Sequence, residues 1–214
     1  MAIAVGEKYN IKSTMLASLL SPWKKSRWKS FTQLVVSEHW LIHIRQSAGE
    51  KSSLKYLNTD HFSFKSAHHL WPNYGCSSRK RVAASFRAKF ITGSYILQTN
   101  RARFNQNAVD PTCPLCHLAE EDLPHLLFNC PALQGQRDKL LTRIKKLMLT
   151  LGLVIHQDPY KLCNSILNTV HPRDCVICGG RKRQIRCKCT ILNETVNDLL
   201  LNLHNTRTRL TNKQ

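Results

Sequence analysis

Acidic residues are scarce in this chain. Of its 214 residues, 13 are Asp or Glu against 32 Lys or Arg, a formal net charge of +19. No two aspartates are adjacent, and the scattered carboxylates do not form the cluster that a two-metal phosphoryl-transfer centre needs. Long apolar runs are also missing, since nothing approaches the roughly 20 residues of a membrane-spanning helix. The first 20 residues lack a signal-peptide core, because Glu7, Lys8 and Lys12 interrupt them. No stretch alternates polar and apolar residues in the way that demands a sheet, and there is neither an internal repeat nor a low-complexity tract. The expected fold class is mainly α, a small helical domain with few or no strands.

What is present is positive charge and cysteine. A surplus of this size exceeds what solubility needs and implies a polyanionic partner, nucleic acid ahead of an anionic membrane surface. Hydrophobic residues make up 42% of the chain, enough for a core. The nine cysteines are odd in number and several are spaced like metal ligands. A disulfide scaffold is therefore not expected, and a reducing compartment, nucleus or cytoplasm, is.

The sharpest pattern is Cys113-x2-Cys116-x8-His125-x4-Cys130. Four soft ligands within one short window read as a tetrahedral Zn2+ site of the Cys3His type, held in a knuckle-like loop. Pro114 stiffens the turn between the first two thiols. Asp122 is placed to cap a short helix with Pro124 in its first turn. Residues five apart on a regular helix are about 140° out of phase, so His125 and Cys130 cannot face one ion from an unbroken helix. Pro131 offers the solution by pushing Cys130 out of the helical region. His117 is a rival ligand, but it directly follows Cys116 and would strain the loop. The alternative is a set of ordinary core cysteines with a surface histidine.

Around this motif the periodicity predicts helices. Residues 1–20 read as an N-terminal arm. Ser21-Pro22 starts a helix reaching about Gln46, with Trp28, Phe31, Leu34, Val35, Trp40, Leu41 and Ile44 at helical spacing; its tryptophans read as core. A short helix covers 64–71 and stops at Pro72-Asn73-Tyr74-Gly75. Ser77 or Ser78 caps another that runs to Ile91 and is stopped by Gly93, with Val82, Phe86 and Phe90 as its buried stripe. Residues 132–151 form an amphipathic helix with Leu133, Leu140, Leu141, Ile144 and Met148 inward. Residues 160–170 are a further helical stretch. The last helix spans about 193–209 with Val196, Leu199, Leu200 and Leu203 inward. The domain reading is an arm, a helical region over 21–152 whose zinc-binding core is 80–135, and a basic, Cys-containing segment over 153–214.

The nucleic-acid-binding candidates are Lys80, Arg81, Arg87, Lys89, Arg101 and Arg103, cations that crowd one helix and the approach to the knuckle. Cations at a helix start oppose the dipole unless something uses them. Tyr95 and Phe104 are candidates for base stacking, although the plainer reading of both is core. A second cluster, Cys175-x2-Cys178-x8-Cys187-x-Cys189, reads equally as a four-thiolate zinc site or as incidental cysteines in a basic loop.

The run from Ala88 to Asn105 (AKFITGSYILQTNRARFN), then Cys113-Pro114-Leu115-Cys116, Glu120-Glu121-Asp122 and His125-Leu126-Leu127-Phe128-Asn129-Cys130-Pro131, resembles the zinc-binding region downstream of the reverse transcriptase in non-LTR (LINE-type) retrotransposon polyproteins. Ser53-Leu54-Lys55-Tyr56-Leu57 and Leu203-His204-Asn205-Thr206-Arg207 are similar to the same proteins. The resemblance covers about residues 25–135 and, loosely, the tail. It implies Cys113, Cys116, His125 and Cys130 as zinc ligands and a role in holding RNA or target DNA. Polymerases of that family carry a paired-aspartate palm, and this chain has no such pair. It therefore reads as a C-terminal portion without the catalytic engine. The expectation is a non-enzymatic, zinc-dependent nucleic-acid-binding module whose partner is RNA or DNA, with neither a membrane nor a small-molecule substrate. Two other readings stand beside it, a zinc-stabilised structural or protein-interaction domain and a relic without selected function.

Overall fold

The computed structural model describes residues 8–9, 25–60, 62, 70, 77–106, 108–169 and 188–212. Their fold is mainly helical, as the missing alternation implied. Among the described residues the β pairing is confined to an isolated bridge between Thr112 and Glu120. None of the described helices is long and apolar enough to cross a membrane. The expected helix start at Ser21-Pro22, the helix over 64–71 apart from Leu70, and Cys175, Cys178 and Cys187 lie outside the described residues. The chain divides into two compact units, Met1–Ser52 with Thr59–Ser66, and Ser53–Asn58 with Ala67–Gln214.

The first unit carries α1, Lys25–Gly49. Its helical spacing is as read, but its tryptophans do not make a core. Trp28, Leu34, Trp40, Ile42 and Ile44 are exposed, and Ala48 is the buried residue among those described in α1. Trp28 stacks on Phe31 and Trp40 on His43, along the helix's own surface.

The second unit is built from α2 (Ser78–Ile91), α3 (Gln98–Phe104), α4 (Gln134–Thr150), α5 (Pro159–Leu167) and α6 (Lys188–Thr211). The Ser77 hydroxyl caps α2 by accepting from the Lys80 amide, and the Asp158 carboxylate caps α5 by accepting from that of Lys161. Gly93 ends α2 at φ +64, where a Cβ would lie 2.3 Å from the Ser53 carbonyl oxygen, so both its backbone and its surroundings require glycine. The long helix α6 is the central element and packs against both α2 and α4. Leu192, Val196, Leu199, Leu200 and Leu203 form its inner face, and they meet Leu141, Ile144 and Met148 of α4 and Phe90 and Ile91 of α2 in one apolar core. That core crosses the 152/153 boundary expected from the sequence, so the final helix belongs with the knuckle.

The buried face of α2 is turned from the expected one. Val82 is 47% exposed, and the inward residues are Ala83, Ala84, Arg87, Phe90 and Ile91. Arg87, read from the sequence as a surface cation, is 1% exposed. Its Nε and Nη2 donate to the Leu167 carbonyl at 2.9 and 2.6 Å, Nη2 to Thr169 Oγ1 at 2.7 Å and Nη1 to Asn193 Oδ1 at 2.8 Å. The cause is helical phase: Arg87 shares a face with Ala83 and Phe90, and the two alanines leave room for a long side chain. It pins the end of α5 to α6 and is unavailable to a ligand.

Candidate metal centre

The knuckle begins as a minimal hairpin. Cys113 N–H donates to the Ala119 carbonyl at 2.8 Å and Glu121 N–H to that of Pro111 at 2.9 Å, on either side of the Thr112–Glu120 bridge. Between them the chain turns through Cys113-Pro114-Leu115-Cys116, closed by His117 N–H on the Cys113 carbonyl at 2.9 Å. His117 sits at φ +54 with its side chain exposed, outside the ligand group. The amides of Leu115 and Cys116 donate to the Cys113 sulfur and the amide of Ala132 to that of Cys130, contacts that favour thiolates.

The second half solves the phase problem by widening the helix. Asp122 Oδ1 accepts from His125 N–H at 2.8 Å, the cap expected from the sequence, and Oδ2 accepts from the Tyr160 hydroxyl at 2.8 Å. His125–Asn129 is then a π turn, closed by Cys130 N–H on the His125 carbonyl at 2.8 Å. A π turn takes one more residue than an α turn, so residues five apart come round to the same side. Cys130 is extended (φ −63, ψ 115), as a residue before proline should be.

These two devices bring Cys113, Cys116, His125 and Cys130 together, with their ligand atoms within 4.8 Å of one another. Cys113 Sγ and Cys130 Sγ are 3.9 Å apart, and Cys116 Sγ lies 3.3 Å from His125 Nε2. The first distance is far beyond the roughly 2.05 Å of a disulfide. It matches the edge of about 3.8 Å that a tetrahedron with metal–sulfur bonds of about 2.3 Å requires. The group could hold a metal ion. Burial raises the Cys113 thiol and pushes that of Cys130 up to about 12, the latter reinforced by the neighbouring Cys113. Burial also holds the His125 imidazole below its usual value, hence neutral. A pocket of protonated thiols and neutral imidazole takes up a cation by giving up protons.

The structure distributes the proposed surface cations unevenly. Lys80 Nζ is 2.6 Å from Glu194 and Arg79 Nη2 is 3.3 Å from Asp198, both acids on α6. The basic start of α2 is thus partly answered from within the fold. Arg81, Lys89, Arg101 and Arg103 are exposed, Lys89 over the Phe86 ring and Arg101 bonded to Gln98. Tyr95 is buried and stacks on Phe90, whereas Phe104 is 88% exposed. Cys189 is buried in α6.

Three features escaped the sequence reading. Arg137 donates from Nη1 to the carbonyl of Cys130, a member of the candidate group, at 2.9 Å. It is in phase with Leu141, Ile144 and Met148, so a cation within an apolar stripe was the available signal. Glu121 is fully buried and ion-paired with Arg207, a partner 86 positions away that spacing does not reveal. Lys139, Arg143 and Lys146 are exposed on α4 within an arc of about 60°, opposite its buried face. Their i, i+4, i+7 spacing was legible. No protein-family model, curated protein or solved structure matches the chain.

Proposed function

We propose that this chain is a zinc-stabilised nucleic-acid-binding module without a catalytic centre of its own, of the type implied by its resemblance to non-LTR retrotransposon polyproteins. The observation that carries the reading is the donor set, three sulfurs and one imidazole nitrogen within 4.8 Å. Thiol sulfur with imidazole favours zinc over magnesium or calcium, which take oxygen. Four protein ligands leave no open position for substrate or water, which is the form of a structural site. Cys113, Cys116, His125 and Cys130 would hold the ion, and its chemistry there would be to cross-link the hairpin to the π turn.

Nucleic acid is supported by charge and by one aromatic side chain. Lys89, Arg101 and Arg103 lie exposed in the elements leading to the knuckle, and Lys139, Arg143 and Lys146 line the outer face of α4. Phosphate contacts by such residues displace counterions, so affinity falls steeply with salt. Phe104 lies three residues beyond Arg101 in α3, a neighbouring position on a helix. Its ring offers a face to an unpaired base, which favours single strands over duplex. The deciding experiment titrates the zinc-loaded chain with single-stranded RNA and with duplex DNA over a salt series. Steeply salt-dependent binding supports the reading. A zinc-loaded chain that binds neither refutes it.

A second reading, a zinc-stabilised protein-interaction domain, is favoured by Leu34, Ile42 and Ile44, exposed on α1. Binding to a protein partner that is insensitive to salt, without nucleic-acid binding, would select it.

A further inference from the structure

We infer that Arg137 is the built-in counter-charge and positioning residue of the metal centre. This rests on the metal reading above and goes beyond it, because it concerns why the site has three thiols rather than two. Arg137 is 6% exposed, and a guanidinium does not give up its proton in a protein. A buried cation is costly unless an anion answers it. Among the described residues the carboxylate within ion-pair reach is Asp138, 3.4 Å from Nε, but its side chain is 56% exposed and its charge is screened by water. The nearer contact is Arg137 Nη1 on the Cys130 carbonyl at 2.9 Å, which sets the guanidinium at the edge of the ligand group.

With its thiols protonated the ligand group is neutral and gives Arg137 nothing. Three thiolates, one neutral imidazole and a divalent cation sum to one negative charge, which is the anion the buried guanidinium needs. A set of two thiolates and two imidazoles would sum to zero and leave Arg137 unanswered. The same bond also spans the end of the knuckle, the 3-10 turn Pro131–Leu133 and the first turns of α4, so it fixes Cys130 from outside the ligand set. Partners of this kind tune metal affinity by about 10- to 100-fold.

The test is zinc affinity of the full chain, measured by competition with a chelator, for wild type, Arg137→Met and Arg137→Lys. Arg137→Met should weaken zinc by about 10- to 100-fold. Arg137→Lys should recover most of the loss. The cobalt-loaded Arg137→Met chain should keep the absorption of a tetrahedral three-sulfur, one-nitrogen site, showing that the ligands themselves are unchanged. Wild-type affinity in Arg137→Met, or a lysine variant as weak as the methionine one, overturns the inference. Cys116→His supplies a second arm, since it makes the loaded site neutral. In that background the Arg137→Met penalty should nearly vanish, and an undiminished penalty overturns the inference. If the wild-type chain takes up no zinc at these four residues, the metal reading falls with it. If zinc binds and only Arg137 proves indifferent, the metal reading survives alone.

Discussion

Arg207 clasps Glu121 with two parallel hydrogen bonds, Nε to Oε1 at 2.6 Å and Nη2 to Oε2 at 2.8 Å. Glu121 closes the knuckle hairpin and Arg207 lies near the end of α6, so the pair ties the knuckle to the central helix. Its surroundings leave little unsatisfied: Glu121 Oε2 also accepts from the Gln98 amide at 2.9 Å, and the Glu121 carbonyl from the Thr99 hydroxyl at 2.9 Å. The carboxylate is fully buried, and the Arg207 side chain is 16% exposed.

Breaking such a pair from one side strands a buried charge, which costs about 3–5 kcal/mol. Arg207→Met is expected to lose about that much in urea unfolding of the zinc-loaded chain. The double change Arg207→Met with Glu121→Gln should cost clearly less than the sum of the two single changes. Additive losses would show that the two residues act independently.

Arg87 and Arg101 should separate stability from binding. Arg87→Met strands the acceptors on Leu167, Thr169 and Asn193, and should destabilise the fold by about 3–5 kcal/mol. Nucleic-acid affinity per folded molecule should not change. Arg101→Glu with Arg103→Glu should leave the unfolding midpoint nearly unaltered while lowering affinity and flattening the salt slope by about one for each phosphate no longer neutralised. The reverse pattern would put the ligand on the inner face of α2 and contradict the burial of Arg87.

His204 gives the fold a pH dependence of its own. Its ring stacks on Phe86 with centroids 3.9 Å apart, and Nδ1 shares a hydrogen bond with the Tyr95 hydroxyl at 3.1 Å. Burial, then the charges of Arg207 and Lys89, hold its pKa below the usual imidazole value. Protonation is therefore harder in the folded chain than in the unfolded one. Its contribution is complete above the unfolded pKa of about 6.5 and is lost as pH falls through the lower folded value. Acid also releases metal from thiolates, so the readout is the difference between wild type and His204→Phe. The wild type should lose more stability than the variant below about pH 6.5. Parallel curves would mean that His204 protonates in the fold without penalty.

Tyr56 makes a smaller and opposite case. It is buried, and among the described residues its hydroxyl has no hydrogen-bond partner. Tyr56→Phe removes a desolvated polar group with little change of shape and should stabilise by about 1 kcal/mol in thermal or urea unfolding. A loss of stability would reveal a partner for the hydroxyl.

The Cys3His group was legible because its information is local. Spacing named the four residues that come together, Asp122 announced its cap, and Pro131 explained why Cys130 leaves the helix. The π turn was not legible, since an inserted residue is selected by the surrounding packing and leaves no compositional mark. The buried face of α2 was misread because Ala83 and Ala84 look weakly hydrophobic beside Val82, although small residues are what admit Arg87. The tryptophans of α1 were misread for a related reason: helical spacing shows which residues share a face but not whether anything covers it. Glu121 and Arg207 meet only through the packing of α6, which a single sequence does not display.

The most direct measurement is zinc per chain, by elemental analysis, for the purified wild type beside Cys130→Ser. The difference isolates this site from any metal bound elsewhere on the chain. The expected result is one zinc fewer in the variant, with loss of the three-sulfur cobalt spectrum. Equal zinc in the two chains, or none in the wild type, would contradict a metal centre at Cys113, Cys116, His125 and Cys130.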